Sequence, residues 1–266
     1  MKTVFTEPKA TIYISDIHGD MASLKRVEEM PEFGNPDYQF VFGGDYVDGS
    51  IYGIEVLQYI KDACDAGWAK AIIGNHDKML TTFVRDPSGD NKRLYYLNGG
   101  KHTLKHACGD VGYSASRMAA MVLRTYPDII HWLETLPTAI EDDYKLCVHA
   151  GIDWDAKDYH NTDDTIALWI REAYIYDKEQ TAIQENNTGK IIVSGHTPTV
   201  MVTNDDDCPI TVLTAGSNPR YLIDGGEHAK NNSFNALVLK KNGLLEAAYK
   251  IGADFGVKKE RVVLIR

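Results

Sequence analysis

The stretch Thr11-Ile12-Tyr13-Ile14-Ser15-Asp16-Ile17-His18-Gly19 passes without a break from an apolar run into a carboxylate, an imidazole and a glycine. Its β-branched and aromatic residues predict a strand. Asp16 and His18, two apart in near-extended backbone, project to one side and could share a metal ion. The pattern recurs. Apolar runs at 39–42, 69–73, 145–148 and 190–194 end within one or two residues in Gly44-Asp45, Gly74-Asn75-His76-Asp77, His149 and Gly195-His196. Ligands of open α/β sheets bind outside the carboxyl ends of the strands. An Asp, Asn or His at any one of these ends reads as a turn former or helix cap; five such ends together read as one site.

Helical patterns fill the gaps between these runs. Asp20 is placed to cap a helix carrying Met21, Leu24 and Val27, and Ile54, Leu57 and Ile60 mark a second helix ending before Gly67. The order βαβαβ predicts an α/β fold. Residues 78–136 read as a helical insert, with helix-like stretches at 113–126 and 127–136 and a loop signal at Asn98-Gly99-Gly100. A further strand is expected at 210–214. Lys241-Asn242-Gly243, between runs at 234–240 and 244–251, predicts a hairpin.

The composition bounds the function. The 266 residues are 44% hydrophobic and 25% charged, enough to bury a full core, and no compositional break divides residues 1–266, so one domain is expected. No apolar stretch has signal-peptide length or approaches the ~18 residues of a membrane span. A cytoplasmic location with no membrane partner is expected. Cys64, Cys108, Cys147 and Cys208 are scattered, which suits free thiols in a reducing compartment and gives no zinc knuckle. A net charge of −10 opposes binding to nucleic-acid polymers. A phosphate ligand would need local cations, and bound metal ions supply them whatever the global charge. Oligomeric state is left open.

Asp16-x-His18-Gly19, Gly44-Asp45-x-Val47-Asp48, Gly74-Asn75-His76-Asp77, His149 and Gly195-His196-Thr197 occur in that order across residues 12–198. Together they resemble the calcineurin-like metallophosphoesterases. The similar branch is that of the phosphoprotein phosphatases, including bacteriophage lambda protein phosphatase and bacterial symmetrical dinucleoside tetraphosphatases. The resemblance implies a two-sheet β-sandwich flanked by helices, with a dinuclear site at one edge. It implies that Asp16, His18 and Asp45 hold one metal, and that Asp45 bridges to a second held by Asn75, His149 and His196. Carboxylate, amide and imidazole ligands without thiolates suit manganese, the expected ion, and also iron or zinc. Attack would come in line from a hydroxide bridging the two ions. His76 matches the residue that protonates the leaving group, Asp48 the carboxylate that orients it, and Asn75 and Arg171 the groups that bind substrate phosphate.

Two positions depart from that pattern. Gly49 stands where the branch carries a phosphate-gripping arginine, and Asp77 where it carries a glutamate. Arg171, within Leu168-Trp169-Ile170-Arg171-Glu172, reads either as a phosphate-binding residue or as a surface arginine paired with Glu172. Asp224, before Gly225-Gly226, reads as a turn former in preference to a site-edge residue, and Cys147 as a small buried hydrophobe. His102, His106, His131, His160 and His228 match no motif. The expected function is hydrolysis of phosphomonoesters, as a serine/threonine-type protein phosphatase acting on a phosphorylated protein or small phosphoester. The alternative is a nucleotide phosphoanhydride or phosphodiester hydrolase such as a dinucleoside tetraphosphatase. A non-catalytic binding module would require damaged ligands, and all six are present.

Overall fold

The computed structural model describes residues 8–109, 112–226 and 233–266; His228 lies outside them. The strands are β1 (Ala10–Ile14), β2 (Tyr38–Phe42), β3 (Ala69–Ala71), β4 (Ala139–Glu141), β5 (Lys145–Val148), β6 (Ile191–Ser194), β7 (Ile210–Leu213), β8 (Arg220–Leu222), β9 (Ser233–Lys240), β10 (Leu245–Gly252), β11 (Gly256–Lys259) and β12 (Val262–Ile265). They form two sheets, in the orders β11-β10-β9-β1-β2-β3 and β12-β7-β8-β6-β5-β4. Both are mixed. β1, β2 and β3 run parallel while β9 pairs antiparallel with β1, and β5, β6 and β8 run parallel while β4 is antiparallel to β5 and β7, parallel to β12, is antiparallel to β8.

Side-chain alternation sorts each strand between two cores. Ile12 and Ile14 of β1, with Phe234, Ala236 and Val238 of β9, join a core shared with helices. Tyr13, Leu237 and Leu239 face the other way, onto Cys147, Val193 and Tyr221 of the second sheet. Cys147 is thus a buried packing residue, and all four cysteines are free. The outer face of the second sheet, with Leu146, Val148 and Ile192, carries a smaller third core. The layers are therefore helix, sheet, sheet, helix.

The helices are α1 (Met21–Leu24), α2 (Gly53–Asp65), α3 (Asn75–Arg85), α4 (Gly89–Leu97), α5 (Gly100–Cys108), α6 (Ala115–Thr125), α7 (Pro127–Thr135), α8 (Asp164–Trp169), α9 (Glu172–Ile175) and α10 (Val200–Thr203). Asp20 caps α1 by accepting from the Ser23 N–H, but that helix tightens after one turn into a 3-10 segment at Lys25–Glu29. Pro127 opens α7, where its missing N–H costs nothing. Helices α3 to α7 lie between β3 and β4, and Leu80, Tyr95, Leu104, Val122, Ile130 and Leu133 join them to the core that α2 and the first sheet share. Each such buried side chain contributes about 1.5–3 kcal/mol.

The strands legible as apolar runs lie within one or two residues of their expected bounds. β3 stops early, at Ala71, because the Ile73 N–H is diverted to the Pro137 carbonyl beyond α7. β4, β8, β11 and β12 have only three or four residues each, too few to show a period. Among the described residues no helix is long and apolar enough to cross a membrane.

Candidate active site

The loops leaving β1, β2, β3, β5 and β6 at their carboxyl ends meet at one edge of the sandwich and hydrogen-bond to one another. Asp16 N–H donates to the Gly44 carbonyl (3.1 Å), His18 N–H to Asp45 (2.9 Å), Gly19 N–H to Tyr46 (2.8 Å) and Gly195 N–H to His149 (2.9 Å). Each strand turns abruptly to do this. Eight non-glycine residues among those described have positive φ, and five are here: Asp16 (56°), His18 (48°), Asp45 (58°), Asp48 (86°) and His196 (64°). Such conformations cost about 1–3 kcal/mol each and cluster at functional sites. Gly74 is obligatory for the approach of two loops, since a Cβ there would lie 2.2 Å from the Asp45 nitrogen.

The side chains inherit this geometry. His18 Nδ1 donates to the Val47 carbonyl (2.9 Å), which leaves Nε2 facing Asp45 Oδ2 at 3.8 Å. His149 Nδ1 donates to the Gly43 carbonyl (2.9 Å), leaving Nε2 3.3 Å from Asp45 Oδ1 and 2.9 Å from Asn75 Oδ1. Asp45 thus turns one oxygen to each imidazole. Turned about, the Asn75 amide would set its nitrogen 3.0 Å from His196 Nδ1, so its head group lies among His149, His196 and Asp45 in either orientation. Two groups able to hold a metal ion result, His18 with Asp45 and His76, and Asp45 with His149 and His196, each with ligand atoms within 4.8 Å of one another.

Asp16 is not brought into either group. Both of its oxygens accept from the His196 N–H, at 3.0 and 3.1 Å, which satisfies the buried carboxylate. His76, expected as a proton donor, lies close enough to His18 and Asp45 to count among metal-capable residues. Its ring meets that of His18 edge-on at 4.8 Å, and its Nδ1 lies 3.1 Å from Asp48 Oδ2.

The electrostatics are those of crowded acids. Asp16, Asp45, Asp48, Asp77 and Asp224 are each at most 4% exposed, and among the described residues no lysine or arginine pairs with any of them. Burial, then the Asp224 charge, lifts Asp16 well above the carboxylate range. Burial lifts Asp77 to about 7, and Asp224 to about 6 despite the N–H it accepts from Gly226. Burial opposes charge on His76 and His149 too, but the carboxylates around them, Asp45 foremost, together outweigh it and bring each to about 9. Burial, then the neighbouring His149, pushes His196 far down. Asp45, Asn75, His149 and His196 bring a carboxylate, an amide and two imidazoles to one point, the oxygen and nitrogen ligands that borderline metals take. The donor set therefore fits divalent ions.

Other residues at the site were less legible. Asp77 accepts from the N–H groups of Asp45, Tyr46 and Gly74, all at 2.9 Å, and so ties the β2 and β3 loops together. Its place three residues into α3 is a capping signal. Asp224 forms its turn through the Gly226 N–H (2.8 Å) while lying electrostatically against Asp16. Arg171 precedes α9 and donates to the His196 carbonyl (2.6 Å) instead of pairing with Glu172. Trp169 stands edge-on to the His196 ring at 6.2 Å. No signal in sequence marked Arg220, a fully buried guanidinium on β8 that donates to the carbonyls of Tyr174, Ile175 and Gln184 and so anchors α9.

Comparison with known proteins agrees with this architecture. A symmetrical bis(5'-nucleosyl)-tetraphosphatase of Methylococcus capsulatus is 30% identical over 146 residues, 54% of this chain; the match spans 44% of that relative's length. A serine/threonine phosphatase structure from Saccharomyces cerevisiae, with similarity to a human phosphatase, superposes with a TM-score of 0.59 at 16% identity, covering 93% of this chain and 81% of that one. A provisionally assigned diadenosine tetraphosphatase does so at 0.55 and 17% identity, covering 95% and 96%. The family model for the calcineurin-like phosphoesterases matches residues 11–230, and with two mixed sheets flanked by helices and a metal-capable edge the chain belongs to that family.

Proposed function

We propose that the chain is a metal-dependent phosphoesterase that hydrolyses phosphomonoesters, as a protein phosphatase of the serine/threonine type. The observation that carries this reading is the Asp48–His76 pair set beside Asp45, which both metal-capable groups share. Asp16, His18 and Asp45 would hold one ion, and Asp45, Asn75, His149 and His196 the other, with manganese the expected metal and iron or zinc also suited. Bound there, the ions would neutralise charge developing on the phosphoryl oxygens and acidify water for attack.

The remaining work falls to the chain. His76, lifted to about 9 against burial by Asp45 and Asp48, carries a proton at neutral pH. With Nδ1 held by Asp48, the ring would protonate the leaving oxygen. Arg171, partly exposed at the rim, supplies a guanidinium for the phosphate where Gly49 supplies none. The Asn75 amide would contribute a further phosphate contact. The free cysteines fit a reducing, cytoplasmic setting.

The Methylococcus capsulatus relative favours a second reading, hydrolysis of a dinucleoside tetraphosphate, and Gly49 leaves room for a large substituent. A panel of phosphopeptide, p-nitrophenyl phosphate, its bis ester and diadenosine tetraphosphate, with manganese and with chelator, separates the two. Turnover of phosphopeptide and p-nitrophenyl phosphate in manganese is expected, with none in chelator. Turnover confined to diadenosine tetraphosphate would transfer the assignment, and activity unaffected by chelator would reject both.

A further inference from the structure

We propose that Thr103, on α5, is a positioning residue for leaving-group protonation, holding the Asp48 carboxylate in the orientation the His76 imidazole requires. The inference rests on reading His76 as the proton donor. Asp48 is 1% exposed and sits at φ 86° in the loop after β2, a conformation that needs support from outside the loop. Segment 99–103 supplies it. The Thr103 hydroxyl donates to Asp48 Oδ1 (2.8 Å) and accepts from the Asp48 N–H (3.1 Å). His102 Nδ1 donates to the Asp48 carbonyl (3.0 Å).

The Asn98-Gly99-Gly100 turn is shaped to this contact. A Cβ on Gly99, at φ 86°, would lie 2.8 Å from the Asp48 carbonyl oxygen, and one on Gly100 would lie 2.5 Å from the buried ring of Tyr95. Only a chain without side chains at both places lets α5 approach so closely.

The chemical consequence follows from the carboxylate's shape. Its two oxygens share one rotor, so a hydrogen bond on Oδ1 also fixes Oδ2, the atom 3.1 Å from His76 Nδ1. A helical threonine ordinarily turns its hydroxyl back to a carbonyl of the preceding turn. That of Thr103, 0% exposed, is directed to Asp48 across 55 residues of sequence. Helix α5 thereby reaches the His76 imidazole through the Asp48 carboxylate.

Leaving-group dependence distinguishes this role from simple packing, because a protonated leaving oxygen matters for phenyl phosphate and hardly at all for 2,4-dinitrophenyl phosphate. With manganese present, Thr103→Val is expected to lower kcat on phenyl phosphate about 10-fold or more, and on dinitrophenyl phosphate less than about 2-fold, with KM little changed. Thr103→Ser, which keeps the hydroxyl, is expected to restore the wild-type ratio of the two rates. Equal losses on both substrates, or a Thr103→Ser enzyme as selective in its loss as Thr103→Val, would overturn the assignment. Thr103→Ala carries the same comparison if the valine variant does not fold. His76→Asn separates the claims. Selective slowing of phenyl phosphate in His76→Asn but not in Thr103→Val rejects Thr103 alone, whereas equal slowing of both substrates in His76→Asn rejects the proton donor itself.

Discussion

At Asp77 one carboxylate satisfies three buried N–H groups, those of Gly74, Asp45 and Tyr46. Each donor left unpaired costs about 1–3 kcal/mol, so Asp77→Ala should destabilise the fold by at least about 3 kcal/mol in urea unfolding. A loss below about 1 kcal/mol would show that the loops hold without it. Arg171 belongs to the same scale. Its guanidinium is tied by one bond to the His196 carbonyl, and Arg171→Ala should lower kcat/KM for phosphomonoesters about 10- to 100-fold, the worth of a charged hydrogen bond. Unchanged kinetics would return it to a structural role. His76 carries its proton below its raised value and loses it as pH rises through about 9. Cations beside Asp45 cancel part of the charge that raises it, so the alkaline limb of kcat/KM should fall at or below that pH and vanish in His76→Asn.

Among the elements, the short helix α9 and the turn before α5 depend on contacts far from them in sequence. α9 has four residues and ends in carbonyls that the buried Arg220 collects from β8, with the Trp154 and Tyr174 rings stacked beside the guanidinium at a centroid distance of 5.6 Å. Arg220→Leu removes those bonds and should cost about 3 kcal/mol in a thermal melt, as breaking a buried polar network does. A loss under about 1 kcal/mol would make the guanidinium incidental. The two features were unevenly legible in sequence. A charged residue in a three-residue strand hides the strand, and Asn98-Gly99-Gly100 announces a turn without naming what the turn must approach.

The whole molecule concentrates acids at one edge of the sandwich, and stability should register this. The folded values of Asp16, Asp77, Asp224, His76 and His149 are all raised. A raised group contributes its stability in full below its unfolded value and loses it as pH rises through the folded one. Metal-free protein should therefore melt at lower temperature at pH 8.5 than at pH 6, while manganese, which needs deprotonated ligands, should stabilise more at pH 8.5. At a hundredfold excess over Kd the gain is about 2.7 kcal/mol per site, a rise in Tm of about 5–10 °C. Equal melting temperatures at both pH values in chelator would contradict the acid cluster. Apolar runs ending in Asp16, His18, Asp45, Asn75, His149 and His196 marked β1, β2, β3, β5, β6 and the candidate ligands, and the ordered motifs at those ends carried the family resemblance, because periodicity and strand ends are local in sequence. Only the tertiary structure decided that Asp16 rests on the His196 N–H, that Asp45 divides its oxygens between His18 and His149, and that Thr103 reaches Asp48. Those orientations are set by backbone turns and hydrogen bonds between segments 29 to 180 residues apart, which no local pattern encodes.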